Sequence, residues 1–407
     1  MPPRWTLDKK ILLGVSGGIA AYKTPELVRT WIKSGAEVEI ILTDTAARLV
    51  SPLTLSTLSK RRAWRDEDLT SDEHGWTIPH ITLGGWADAL VVAPCTANVL
   101  RMAASGDSGT LLGAAMLACH APKIFFPAMN SHMWANPAAK ANAQLLRERG
   151  CRVIDPDSGA LACGYEGEGR LPSIETIVDE TWFSLCPLRD LEGKKVLVTA
   201  GPTREYIDPV RFISNPSSGR MGYALASEAR YRGGDVTLVS GPVSLRAPSG
   251  VKIINVTTAR EMLDACMAEL AGADLIIKAA AVGDYRAVNY SGQKIKRASG
   301  PMTLELAQND DIAHAIGRAK SPGQILVGFA AETENIRENA LKKIEAKRLD
   351  MVVANNVSDG AGFGSPFSDV EIHFAGGRGL SPVYVSGDKW EAASGILDAA
   401  VTLFRMK

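Results

Sequence analysis

The chain is predicted to fold as α/β, in two doubly wound Rossmann-like domains. Short aliphatic runs alternate with amphipathic helical patterns along almost all of its 407 residues, the arrangement of βαβ units around a parallel sheet. Residues 9–17 and 194–201 each carry a lysine pair into a strand-like run and then a glycine, so a nucleotide-type fold starts twice. The length also exceeds what one hydrophobic core ordinarily supports.

In the first half, strands are expected at residues 11–15, 38–43, 89–93 and 124–127. These stretches are β-branched or aliphatic with no polar alternation, as strands covered on both faces are. After the first, Leu27, Val28, Trp31 and Ile32 share one helical face, with Pro25 in the first turn after Thr24 and Gly35 as a stop. In the second half, strands are expected at 195–199, 235–239, 275–279, 325–329 and 351–354. Trp390, Ala393, Leu397, Ala400 and Phe404 give a C-terminal helix. A proline, charges and a glycine mark residues 187–193 as a linker, so the domains are expected at 1–186 and 194–407.

Charge narrows the function. The 45 basic and 45 acidic residues cancel, which removes the electrostatic signature of nucleic-acid binding. The six cysteines form no CxxC pair, so neither a disulfide framework nor structural zinc is expected. Arg4, Lys9 and Lys10 ahead of an apolar stretch look like a signal peptide, but Ser16, Gly17 and Gly18 interrupt the run. No run reaches the ~18 apolar residues of a membrane helix. A soluble, cytoplasmic protein with no membrane or nucleic-acid partner is expected. No metal ligands stand out.

Ser16, Gly17 and Gly18 lie at a strand-to-helix junction. They read either as a cradle for a mononucleotide phosphate or as a turn that needs glycine; the spacing is not that of the GxGxxG dinucleotide loop. Three further segments stand at expected strand ends or in loops: residues 93–98, residues 126–134, and residues 158–170. The last holds four glycines in thirteen residues, which suits a lid. His80 reads as a helix cap or a general base, Asn130 as a turn residue or a functional amide, and Cys163 as filler or a proton donor.

These segments resemble the phosphopantothenoylcysteine decarboxylase domain, a flavoprotein family. Residues 94–98 match its Pro-Ala-Ser-Ala-Asn, with Cys95 and Thr96 in place of the usual Ala and Ser. Residues 127–134 match its Pro-x-Met-Asn-x-x-Met-Trp, and Ala162-Cys163-Gly164 its flap. The resemblance implies FMN held by Ser16, Gly17, Gly18, Thr43, Pro94, Thr96 and Asn98. It also implies Asn130 on the substrate carboxylate, His80 as the base assisting thiol oxidation, and Cys163 as proton donor. Oxidation of the thiol creates a thioaldehyde that accepts the electrons released with CO₂, and the resulting enethiol is then reduced.

In the second half, residues 200–211 form a donor-rich loop after a strand. Ser217, Ser218 and Gly219 precede a helix, as a polyphosphate site or merely an N-cap, with Asn215 and Arg220 favouring the site. Asp284 ends another strand. Lys294 and Lys296 lie on a basic loop, either a solvated edge or a neutraliser of departing pyrophosphate. Phe329 closes a further strand. Residues 190–405 resemble phosphopantothenate–cysteine ligase of the bacterial type, which implies CTP and Mg²⁺ turning 4′-phosphopantothenate into an acyl-cytidylate that cysteine attacks. On that resemblance Asn215 handles the acyl-cytidylate, and Lys294 contacts the triphosphate or transition state. Asp284 and Phe329 contact the nucleotide, together with Ser217, Ser218, Gly219 and Lys296. The order decarboxylase then ligase is that of the bacterial bifunctional enzymes, and the resemblance implies a homo-oligomer, with trimers of the first half and dimers of the second in a dodecamer. A flavin prenyltransferase-like or reductase module is disfavoured by the flap cysteine and the Met-Asn-x-x-Met-Trp stretch. A non-enzymatic relative is disfavoured because His80, Asn130 and Cys163 are all present.

Overall fold

The computed structural model describes residues 3–160, 164, 166–297, 301–332, 336–356, 367–376 and 379–406. The chain divides into two compact units, Trp5–Cys186 and the residues from Pro187 onward. Among the described residues no helix is long and apolar enough to cross a membrane.

The first unit is built on six strands: β1 (Lys10–Val15), β2 (Glu37–Leu42), β3 (Ala63–Trp64), β4 (Ala89–Cys95), β5 (Lys123–Pro127) and β6 (Arg152–Val153). Their order is β3-β2-β1-β4-β5-β6 and every pairing is parallel. All four strands expected from the sequence are present. Their continuous apolar runs bury both faces, and Ile11 to Leu13 and Ala89 to Ala93 are wholly inaccessible. The helix Thr24–Lys33 buries Leu27, Val28 and Trp31 against the sheet. The strand order reverses between β1 and β4, which opens a crevice above their C-terminal ends. Residues 158–170 were expected as a lid loop. Of these, residues 158–160 and 166–170 are instead paired antiparallel, in β7 (Asp157–Ala160) and β8 (Glu166–Arg170).

The second unit carries β9 (Lys195–Ala200), β10 (Arg204–Tyr206), β11 (Phe212–Ser214), β12 (Asp235–Ser240), β13 (Lys252–Asn255), β14 (Leu275–Lys278), β15 (Tyr285–Ala287), β16 (Leu306–Gln308), β17 (Ile325–Glu332), β18 (Met351–Asn356), β19 (Phe367–Phe374) and β20 (Val383–Asp388). Its main sheet runs β13-β12-β9-β14-β17-β18-β19-β20. It is parallel from β13 to β18 and antiparallel over the last two pairings. The five strands expected here are its parallel centre. One face packs Val196, Val198 and Ile277 against the helices Arg220–Tyr231 and Lys389–Arg405. The other packs Leu197, Ile276 and Leu326 against Ala259–Leu270, Ile312–Ala319 and Ile336–Lys347. Residues 187–193, read as a linker, are folded into this unit: Leu191 is fully buried in its core. Asp190 accepts from Arg232 Nε at 2.8 Å, and Asp398 from Arg232 Nη1 at 2.8 Å. The strand order reverses between β9 and β14, giving a second crevice.

Candidate active sites

The first crevice holds a cavity of ≈ 400 Å³. Gly18, Thr96 and Asn130 line it, as the sequence led one to expect, with Ala128, Met129 and Met133 as apolar wall and Lys23 and Arg170 as cations. The loop ends are stapled by Ser16. Its fully buried hydroxyl donates to Pro94 O at 2.7 Å and accepts from Thr96 N at 2.8 Å. The hydroxyl that the sequence offered as a phosphate donor therefore spends its proton inside the protein. At Gly17 a Cβ would lie 2.4 Å from Thr45, so packing excludes a side chain there. Thr43 accepts from Ala46 N at 3.3 Å as the cap of Asp44–Ala47. Asn98 is exposed on the helix Ala97–Ser105. Ser16, Gly17, Thr43, Pro94 and Asn98 do not line the cavity.

Asn130 caps the short helix Ser131–Ala135 by accepting from His132 N at 2.9 Å, which fixes its amide. The hairpin docks onto this loop through backbone. Met129 N donates to Gly169 O at 3.0 Å, and a Cβ on Gly169, whose φ is +158°, would lie 2.2 Å from Met129 O. Cys163 lies outside the described residues. His80 is not a cap; it is the second residue of the helix Pro79–Trp86, its Nδ1 is buried with no hydrogen-bond partner among the described residues, and it does not line the cavity. Cys95 faces the core, where burial pushes its thiol far above the ordinary range. It is packing, not chemistry.

The second crevice holds a larger cavity of ≈ 660 Å³, lined by Asn215, Ser217, Ser218, Gly219, Asp284 and Phe329. Asn215 Nδ2 donates to Ala281 O and Val282 O, at 3.2 and 3.1 Å, and so ties the Ser-Ser-Gly loop to the loop after β14. That second loop is held by Thr199 Oγ1, which accepts from Ala280 N, and by Thr203 Oγ1, which accepts from Gly283 N. Gly219, at φ +76°, caps the helix Arg220–Tyr231, and a Cβ there would lie 2.8 Å from Val243.

Sequence reading missed most of the cavity's charge. Arg220, which the sequence offered, lines it together with Lys278, Lys343, Lys347 and Lys389, which it did not, beside the acids Asp310 and Asp311. Lys278 is only 8% exposed at the end of β14. Burial drives its pKa down, Cys266 and Asp311 pull it back, and Lys347 reinforces the drop. Lys347 pairs with Asp311 at 2.8 Å. A lysine ending an apolar strand was a visible signal, because only a site justifies that burial. Lys294 and Lys296 do not line the cavity and are exposed. The loop between them is anchored by Ile295 N, donating to Asp208 at 3.1 Å.

Residues 3–184 match the family described as flavoprotein, and residues 191–403 the family described as DNA/pantothenate metabolism flavoprotein C-terminal domain. The chain is 45% identical over 375 residues to the coenzyme A biosynthesis bifunctional protein CoaBC of Bacillus subtilis, covering 91% of this chain and 92% of that one. To its counterpart in Escherichia coli strain K12 it is 42% identical over 379 residues, covering 92% and 93%. Among solved structures, the C-terminal domain of a coenzyme A biosynthesis bifunctional protein CoaBC is 37% identical, with a TM-score of 0.46, over 54% of this chain and 100% of that one.

Proposed function

The chain belongs to the coenzyme A biosynthesis bifunctional proteins, enzymes that join a flavoprotein decarboxylase domain to a ligase domain, and we propose that it converts 4′-phosphopantothenate and cysteine to 4′-phosphopantetheine. The observation that carries this reading is the pairing of two cavities of different chemistry, one largely apolar with two cations and one rich in cations and hydroxyls.

Ligation belongs to the second cavity. A carboxylate resists an amine until one of its oxygens becomes a good leaving group. Attack of the acid's oxygen on the α-phosphorus of CTP forms the acyl-cytidylate and releases pyrophosphate. Attack by the cysteine amine then forms the amide, and CMP leaves. Phe329 supplies a flat wall for the base, and Asp284 an acceptor for nucleotide hydroxyls or amines. Lys278, Lys343 and Lys347 oppose the negative charge that builds up as pyrophosphate departs. Asn215 is held by its Nδ2 bonds, which fixes the loop that receives the reacting carboxylate. Among the described residues no group of three or more His, Cys, Asp or Glu is placed to hold a metal. Magnesium would therefore be held mainly by the nucleotide phosphates.

Decarboxylation belongs to the first cavity, and its residues suit FMN. Gly18 opens a helical segment, Lys23 and Arg170 match a phosphate, and Ala128, Met129 and Met133 give an apolar wall for a ring system. FMN bound there would supply two-electron oxidation of the substrate thiol and the later re-reduction. Asn130, with its carbonyl end fixed as a cap, holds the substrate carboxylate by its N–H end. Cys163 donates the proton that completes reduction of the enethiol. The same reading expects a homo-oligomer working in the cytoplasm.

One incubation tests it. Purified protein should be yellow, and with 4′-phosphopantothenate, cysteine, CTP and Mg²⁺ should yield 4′-phosphopantetheine, CO₂ and CMP. A preparation that cannot be loaded with FMN and still decarboxylates overturns the first half. Ligation that runs on ATP but not on CTP overturns the nucleotide assignment.

A further inference from the structure

The basic loop after β15 is fastened to the turn that joins β10 to β11. Between Tyr290 and Arg297 the described residues make three hydrogen bonds to the rest of the chain, and all three end in that turn. Ser291 N donates to Ile207 O at 3.0 Å. Ile295 is gripped through both of its backbone polar groups: its N–H donates to Asp208 Oδ2 at 3.1 Å, and its carbonyl accepts from Arg211 Nη2 at 3.0 Å. Lys294 and Lys296 stand on either side of it, exposed, with no ion-pair partner among the described residues. Neither lines the larger cavity, so either reaches a nucleotide only as this loop places it.

Asp208 is fully buried and uses both carboxylate oxygens. Oδ1 accepts from Val210 N at 2.8 Å and Arg211 N at 2.7 Å, closing the turn in which the residue sits. Oδ2 is left for Ile295 N and, at 3.4 Å, for Arg211 Nη1. Closing the turn needs one acceptor, which an asparagine would supply without burying a charge. Only the second oxygen, aimed at a loop 87 residues along the chain, calls for a carboxylate. We propose that Asp208 is a positioning residue for ligation, holding the loop through Ile295 so that Lys294 is preset for the departing pyrophosphate. A loop fixed in advance loses no ordering entropy when the nucleotide binds, and a cation already oriented need not reorganise as charge builds up. This rests on the ligase reading above and on Lys294 meeting the triphosphate or the transition state.

Ligation by the full-length protein tests it. Asp208→Asn keeps the oxygen that closes the turn and puts an amide N–H₂ where Ile295 N needs an acceptor. The kcat for amide formation should fall roughly tenfold or more, while the KM for CTP moves by less than about threefold. In a Lys294→Gln background the same change should cost less than about twofold further, because the lysine it places has gone. Trypsin should cut after Lys294, Lys296 or Arg297 about threefold faster or more in Asp208→Asn, and decarboxylation of supplied phosphopantothenoylcysteine should keep its wild-type rate. Ile295→Pro removes the same bond from the loop side and should repeat the loss, which carries the test if Asp208→Asn does not fold. Losses that multiply in the double variant mean that Asp208 acts on the fold and not through Lys294, and overturn the proposal. Unchanged ligation in either single variant, unchanged trypsin cutting or a loss confined to the CTP KM overturns it too. A wild type that forms no amide sinks the ligase reading itself, and is seen before any variant is compared.

Discussion

Lys278 is buried at a cavity wall with no hydrogen-bond or ion-pair partner among the described residues. Such a cation is retained at the expense of stability. Lys278→Met should stabilise the second unit by about 1–2 kcal/mol, a rise in Tm of roughly 2–6 °C. The folded pKa lies below the unfolded value of ~10.4, so the wild type loses stability as pH falls from there to the lowered value. The advantage of Met should be smallest at the alkaline end and full below that window, as thermal melts at several pH values will show. A variant that melts lower than wild type near neutrality contradicts this. Cys163→Ser should release CO₂ from phosphopantothenoylcysteine and stall before phosphopantetheine; normal product formation would remove the proton-donor role. At this scale residue type is legible in sequence, but the partner is not. Ser16 shows a hydroxyl after a strand, yet its proton goes to a carbonyl 78 residues away, which depends on β1 and β4 becoming neighbours.

Strands buried on both faces announce themselves, and all nine expected from apolar runs are present. The hairpins do not. β7 and β8 read Asp-Ser-Gly-Ala and Glu-Gly-Glu-Gly-Arg; backbone pairing and backbone docking hold them, and hydrophobic patterning cannot register either. Gly169→Ala puts a methyl group against Met129 O and should cost the hairpin roughly 1–3 kcal/mol. Flavin content and decarboxylation should fall together while ligation persists, measured by visible absorbance and separate half-reaction assays. Arg232→Ala, which leaves Asp190 and Asp398 without their shared cation, should lower the stability of the second unit by roughly 3 kcal/mol. The 187–193 stretch was misread because its single apolar anchor, Leu191, is flanked by charges whose partners lie far along the chain.

Two units with separate cores should unfold as two calorimetric transitions. FMN at a hundredfold excess over its Kd should raise one by the equivalent of about 2.7 kcal/mol, and CTP with Mg²⁺ should move only the other. A single transition shifted by both ligands would show the halves to be energetically one body. Fold class was open to reading because alternation of strand and helix is a property of the whole chain; the cavity cations were not, because they converge only after eight strands have been ordered. That ordering has a consequence for synthesis. The central strand β9 needs β14 on one flank, and β14 begins at Leu275, about 75 residues after β9 ends at Ala200. At ~5–20 residues per second a ribosome takes roughly 4–15 s to make that distance. Through that interval a nascent chain carries an apolar strand with one bare side, so chaperones that recognise greasy, unpaired backbone should crowd onto chains arrested near residue 260 and leave those arrested past the end of the sheet.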